Sequence, residues 1–421
     1  MHNMKVILTG LLLLSTYLGL SNRILIPMDK TQTNHLKSYG ITYWVIEQGL
    51  DCQWLLNYKG GSFVLPYIKP FEEECIIRGV SYKIISDQEY EGIVQEISSP
   101  AVNQDVIKLE KAPKIAVYSP KSKQPWDDAV TLVLTYAEIP YEVIFDDEIL
   151  ADSLSNYDWL HLHHEDFTGQ YGKFWGHYRN RPWYIQQQEE FELSARKHGF
   201  DKVSQLKLAV VHKIRDFCTT GGFLFAMCSA TDSYDIALAA EGADICAEMF
   251  DGDPADPKAQ EKLDFNKTFA FQNFELETNP AVYEYSNIDV NPKLRGVTEK
   301  NDYFSLFEYS AKWDPIPTML TQNHEKTIKG FMGQTTAFNK DLIKADVVIM
   351  GENKELNEAK YIHGIYGKGF WTFYGGHDPG DYQHFVGEAP TDMNLHANSE
   401  SYRLILNNIL FPAAKKKKRK T

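Results

Sequence analysis

The stretch FLFAMCSATDSYDIAL, residues 223 to 238, passes from a fully apolar segment straight into a helical pattern, with Cys228 at the break. A cysteine on such a bend sits at a helix N-terminus, whose dipole and free N–H groups are expected to lower the thiol pKa and to hold an oxyanion. The bend needs small residues two positions either side, and Ala226 and Ala230 supply them. Ser229 and Asp232, in the first helical turn, are expected to face a substrate. The plainer reading is that Cys228 is a small buried filler and that Asp232 or Ser233 caps the helix.

A second cluster, GFWTFYGGHDPGDYQHF (residues 369 to 385), ends an apolar strand in two glycines followed by His377. A cysteine nucleophile needs its base at such a late strand end, and Asp378 or Asp381 would orient the ring. A third, LHLHHEDFTGQYGKFWGHYRNRPW (residues 160 to 183), places His161 and His163 on one strand face with His164, Glu165 and Asp166 just beyond. Residues 163 to 166 are expected to contact the substrate, and Arg179 and Arg181 would suit a sugar or a peptide carboxylate. Zinc is an option at His161, His163 and His164, but the spacing matches no regular metal motif and no metal or other cofactor is assigned. Asp251, Asp253 and Asp256 offer a calcium option against an ordinary acidic turn, since no glutamate completes the loop.

These clusters need a scaffold that brings them together. From Ile24 short β-rich runs alternate with helical stretches as far as Ala112-Pro113, which implies a small N-terminal α/β module over residues 22 to 112. A second unit opens with KIAVYSP and covers residues 113–246 and 346–412. Its strands Lys114–Tyr118, Tyr141–Phe145, Tyr157–His161 and Phe223–Met227 are apolar enough to be buried on both faces. Alternation with helices implies an α/β fold with a doubly wound, flavodoxin-like parallel sheet, in which ligands bind beyond the C-terminal strand ends. Residues 247 to 345 break the rhythm and read as an inserted β-rich lobe.

Composition bounds the rest. The 421 residues are 43% hydrophobic and 24% charged, with net charge −14, and the basic run Lys415–Lys420 leaves the body near −20, which argues against nucleic acid. A small molecule, a peptide or a sugar is the expected ligand; the basic tail, residues 413 to 421, is given no function. Lys5 precedes an apolar run from Val6 to Leu20 and the small pair Ser21-Asn22, the order of a secretory signal peptide over residues 1 to 21. At 15 residues the run is shorter than the roughly 20 of a membrane span. An exported, periplasmic chain is expected, and its five cysteines leave at least one thiol unpaired.

Together KIAVYSP, YDWLHLHH, the GGFLFAMC elbow and YGKGFWTFYGGHDP resemble the class I glutamine-amidotransferase-like superfamily, including its trehalose-utilisation-like branch, over residues 114 to 412 less the insertion. The resemblance implies Cys228 as nucleophile and His377 as base; the family's glutamate after the proline is absent, since Gly380 follows Pro379. The whole chain is also similar to exported Bacteroidota proteins labelled asparagine synthetase B, which implies ATP-dependent, glutamine-hydrolysing amide synthesis. The synthetase's Ser-Gly-Gly-x-Asp-Ser pyrophosphate loop is here Cys228-Ser229-Ala230-Thr231-Asp232-Ser233, without either glycine. Three functions compete on this reading: a thiol hydrolase, a non-catalytic periplasmic binding protein and the synthetase, the last disfavoured by export away from ATP.

Overall fold

The computed structural model describes residues 22–121, 126–290, 295–383 and 385–415. The expected signal peptide and the tail from 416 onward lie outside them.

The first five apolar runs pair among themselves. Strands β1 (Asn22–Ile26), β2 (Cys52–Leu56), β3 (Ser62–Pro66), β4 (Lys83–Ser86) and β5 (Asp105–Leu109) form an antiparallel sheet in the order β4-β1-β3-β2-β5. All five strands fall within residues 22 to 112. Its helix His35–Glu47 lies against the helices Ala129–Ala137 and Glu400–Leu410 of the rest of the chain. Gly40 permits that closeness, since a Cβ there would stand 1.7 Å from Ala137 O. Arg403 of the last helix is fully buried at the joint and donates to Tyr39 Oη (3.0 Å) and Met28 O (2.8 Å).

The second sheet has ten strands. β6 (Ile115–Tyr118), β7 (Glu142–Ile144), β8 (Trp159–Leu162), β9 (Phe223–Met227) and β15 (Gly369–Tyr374) are mutually parallel, in the order β15-β9-β8-β6-β7. The remaining five, β10 (Tyr303–Leu306), β11 (Thr327–Lys329), β12 (Phe338–Asn339), β13 (Val348–Asn353) and β14 (Glu358–Tyr366), extend it antiparallel beyond β15. The fold is therefore α/β, but its large sheet is mixed where a parallel one is expected. The strands of residues 247 to 345 do not build a separate lobe; they join this sheet's antiparallel edge. Along β8 and β9 side chains alternate between two cores, Trp159, Phe225 and Met227 on one face and Leu160, Leu162, Leu224 and Ala226 on the other. That double burial is the reason these strands read as unbroken apolar runs.

No helix among the described residues is long and apolar enough to cross a membrane. All five cysteines are buried and unbridged.

Candidate active site at the strand–helix elbow

β9 ends at Met227 and the helix Ser229–Ala239 begins one residue later. Cys228 makes the whole reversal alone, with φ 50° and ψ −140°. That conformation favours glycine; a side-chain-bearing residue there costs on the order of 1–3 kcal/mol and persists where the surroundings impose it. Ala230 N donates to His163 O (2.9 Å) and ties the new helix to the end of β8, the adjacent strand.

Cys228 lines a cavity of about 280 Å³ with His164, His377, Gln334, Gly333, Met332, Gln383 and the aromatic rings of Trp126, Phe174, Tyr283 and Phe385. Three of the residues singled out by sequence, Cys228, His164 and His377, thus meet in one place. The loop carrying Met332–Gln334 comes from the segment expected to be a separate lobe. Gln334 N donates to Cys228 Sγ at 3.3 Å, and His377 N donates to Met332 O at 2.8 Å. Gly333 packs so near His377 that a Cβ would stand 2.6 Å from its backbone nitrogen. Lys360, buried on β14, donates to Phe331 O (2.6 Å) and Thr336 O (2.7 Å) and so holds both ends of that loop.

The thiol does not have the lowered pKa expected at a helix N-terminus. Burial pushes it up to about 11, and the backbone N–H groups of Thr335, Gln334 and Ser229 offset only part of that. A proton acceptor must therefore reach the sulfur for it to act as a nucleophile.

Behind the cavity lies a residue that the sequence reading missed. Asp128 caps the helix Ala129–Ala137 by accepting from Thr131 N (2.8 Å), and its Oδ2 lies 3.1 Å from His161 Nε2 and 3.0 Å from His163 Nδ1. Burial opposes its charge, but the two imidazoles outweigh this and hold the carboxyl well below the usual range. Burial likewise disfavours a charged His163, yet Asp128 raises its pKa above the ordinary value. His161, with Nδ1 3.2 Å from Phe225 O and Nε2 on Asp128, does not line the cavity. The only available signal for Asp128 was its place directly before an apolar helical run, which reads as a cap.

Other expected site residues serve the scaffold. Asp378 does not orient His377: its carboxylate accepts from Gly380 N (2.7 Å), Thr391 Oγ1 (2.8 Å) and the Tyr402 hydroxyl. Asp381, partly exposed, accepts from Gln383 N (3.1 Å). Asp166 closes its own loop by accepting from Thr168 N (2.7 Å) and Gly172 N (3.0 Å). Glu165 accepts from His163 N (3.2 Å), and burial, with the charge of Asp128 behind it, lifts its pKa to about 7. Asp232 and Ser229 are fully buried in the elbow helix rather than on the cavity wall; Asp232 accepts from Thr335 Oγ1 (2.9 Å), and burial raises it to about 7. Arg179 and Arg181 are exposed, with Arg179 lying over Trp175. The calcium option fails on charge: Lys202 lies 2.6 Å from Asp244 and 3.0 Å from Asp251 and also pairs Asp253, while Lys262 pairs Asp256.

A larger apolar cleft of about 540 Å³, between Phe223, Phe370, Trp313 and Phe411, opens at the opposite ends of β9 and β15. No cysteine, serine or threonine among the described residues lines it.

No family description and no curated protein matches the chain. Among solved structures it is similar to two proteins of Salmonella typhimurium, each titled only a cytoplasmic protein. One is 9% identical with a TM-score of 0.33, the other 11% identical with a TM-score of 0.35; each alignment covers 72% of this chain and 100% of the other.

Proposed function

We infer that this chain is an exported thiol hydrolase of amides or esters, a class I glutamine-amidotransferase-like protein whose parallel strands are the remnant of a doubly wound, flavodoxin-like sheet. The observation that carries the reading is the left-handed backbone of Cys228 between a buried strand and a helix. Strain of this kind at a residue that could as well be glycine is explained if the thiol must be presented at that spot. His377 is the base, Cys228 attacks the carbonyl, and the N–H groups of Gln334 and Thr335, which already face the sulfur, are placed to receive the oxyanion. Release of the amine or alcohol and attack by water on the acyl-enzyme complete the cycle. Cys228→Ala should abolish turnover of an amide and ester panel, and iodoacetamide should label Cys228 before the other four thiols. Equal labelling of all five, or turnover unchanged in Cys228→Ala, overturns the reading.

A non-catalytic binding protein is the second reading. It is favoured by the thiol's pKa of about 11 and by the diversion of Asp378 to Tyr402. Asparagine synthesis draws no support: Ala230 N is spent on His163 O, so the elbow backbone is not open to a pyrophosphate.

A further inference from the structure

We propose that His163, His164 and His377 form a site for one divalent transition-metal ion of the zinc class, opening on the Cys228 cavity. One ring nitrogen from each of the three lies within 4.8 Å of the others. Their rings are layered, His163 on His377 at 4.2 Å and His164 stacked on His377 at 5.5 Å between centroids. Zinc binds imidazole nitrogen at about 2.0–2.1 Å in a tetrahedron whose corners are about 3.3 Å apart, so the nitrogens, now within 4.8 Å of one another, must draw together and the overlapping rings must turn edge-on to the ion.

The surroundings suit a metal site. Asp128 stands 3.0 Å from His163 Nδ1 while Nε2 on the other side of the ring faces His377, so a carboxylate backs this histidine as it does in carboxylate–histidine–metal sites. His163 Nε2 lies 3.1 Å from His377 O, a hydrogen bond that it gives up to ligate. His164 and His377 line the cavity, so a fourth position faces Cys228 and any bound ligand. Three histidines and one open position are the ligand set of catalytic rather than structural zinc. The trio differs in one member from the zinc option at His161, His163 and His164: His161, with its nitrogens on Phe225 O and Asp128, gives its place to His377.

A filled site takes His377 out of use as a base, so the metal would inhibit the thiol reaction inferred above. The binding test itself needs no substrate and so stands apart from that reading. Chelator-treated protein is titrated with zinc by calorimetry and with cobalt by visible absorption. One ion per chain and the intense bands of tetrahedral cobalt are expected. Asp128→Asn should weaken binding by about 10–100-fold, His164→Ala and His377→Ala more than that, and the exposed His177→Ala not at all. No stoichiometric binding by the unaltered chain, or full affinity in His164→Ala, overturns the proposal.

Discussion

Gln334 N donates to Cys228 Sγ at 3.3 Å, although 106 positions separate the two residues. The elbow is therefore completed by a loop from the segment between β9 and β13, and both the strain at Cys228 and the donors around its sulfur belong to one assembly.

That strain can be weighed directly. Glycine normally costs a protein about 1 kcal/mol relative to alanine, yet at φ 50° the order should invert. Cys228→Gly and Cys228→Ala both lose the sulfur, so their difference isolates the backbone. We expect Cys228→Gly to be the more stable in denaturant unfolding by an amount on the order of 1–3 kcal/mol, with neither variant hydrolysing anything. A less stable glycine variant would mean that the conformation costs little and that its functional meaning fails.

Asp378 was one of the two expected orienters of His377, with Asp381, and its hydrogen bonds to Tyr402, Gly380 and Thr391 assign it to the scaffold instead. Asp378→Asn should lower stability by about 1–3 kcal/mol, the usual cost of weakening a buried charge-assisted set, while iodoacetamide labelling of Cys228 and any hydrolysis persist in the folded fraction. Complete loss of hydrolysis with an unchanged melting curve would restore Asp378 to the catalytic group.

Lys360 holds Phe331 O and Thr336 O, the two ends of the loop that delivers Gln334 to the sulfur. Lys360→Met keeps the apolar stem and strands two buried carbonyls, each costing about 1–3 kcal/mol. We expect limited proteolysis to begin within residues 331–336 and the alkylation rate of Cys228 to change, because its N–H donors move. Wild-type alkylation and wild-type protease resistance together would show that the loop holds itself.

The same long-range dependence decides what could be read from the chain. β9 and β15 were legible to the residue, because each is an apolar run with glycines at its start. β14 was not: Glu358, Lys360 and His363 interrupt its sequence, and their burial depends on Arg295, Phe331 O, Thr336 O and Trp371 O, none of them visible as a local pattern. Cys228 and His377 stood out because chain punctuation marks strand ends. Asp128, Tyr283 and Gln334 did not, since only tertiary pairing brings them to the elbow. Asp378 misled because it follows His377 in sequence while its side chain turns to the last helix.

The joint between the N-terminal module and the rest should be sensitive to acid. His35 and His324 stack at 4.0 Å beside Arg403, whose Nη1 lies 3.3 Å from His324 Nδ1. Burial, with the guanidinium adding to it, lowers His35 to about 4; burial, then the charges of His35 and Arg403, lowers His324 to about 3. Below about pH 6.5 the unfolded chain takes up protons on these rings and the folded chain does not, so stability is full above 6.5 and falls as the pH drops toward 4. Glu165, Asp232 and Asp235, raised by burial to about 7, 7 and 6, act in the opposite sense, since their folded forms hold protons that the unfolded chain has released. The histidine contribution is therefore isolated by difference. Denaturant unfolding of the wild type and of His324→Gln at pH 7.5, 6, 5 and 4 should show the wild type losing ground to the variant step by step below about pH 6.5. A difference that stays constant over that range would mean that His324 is not held neutral at the joint.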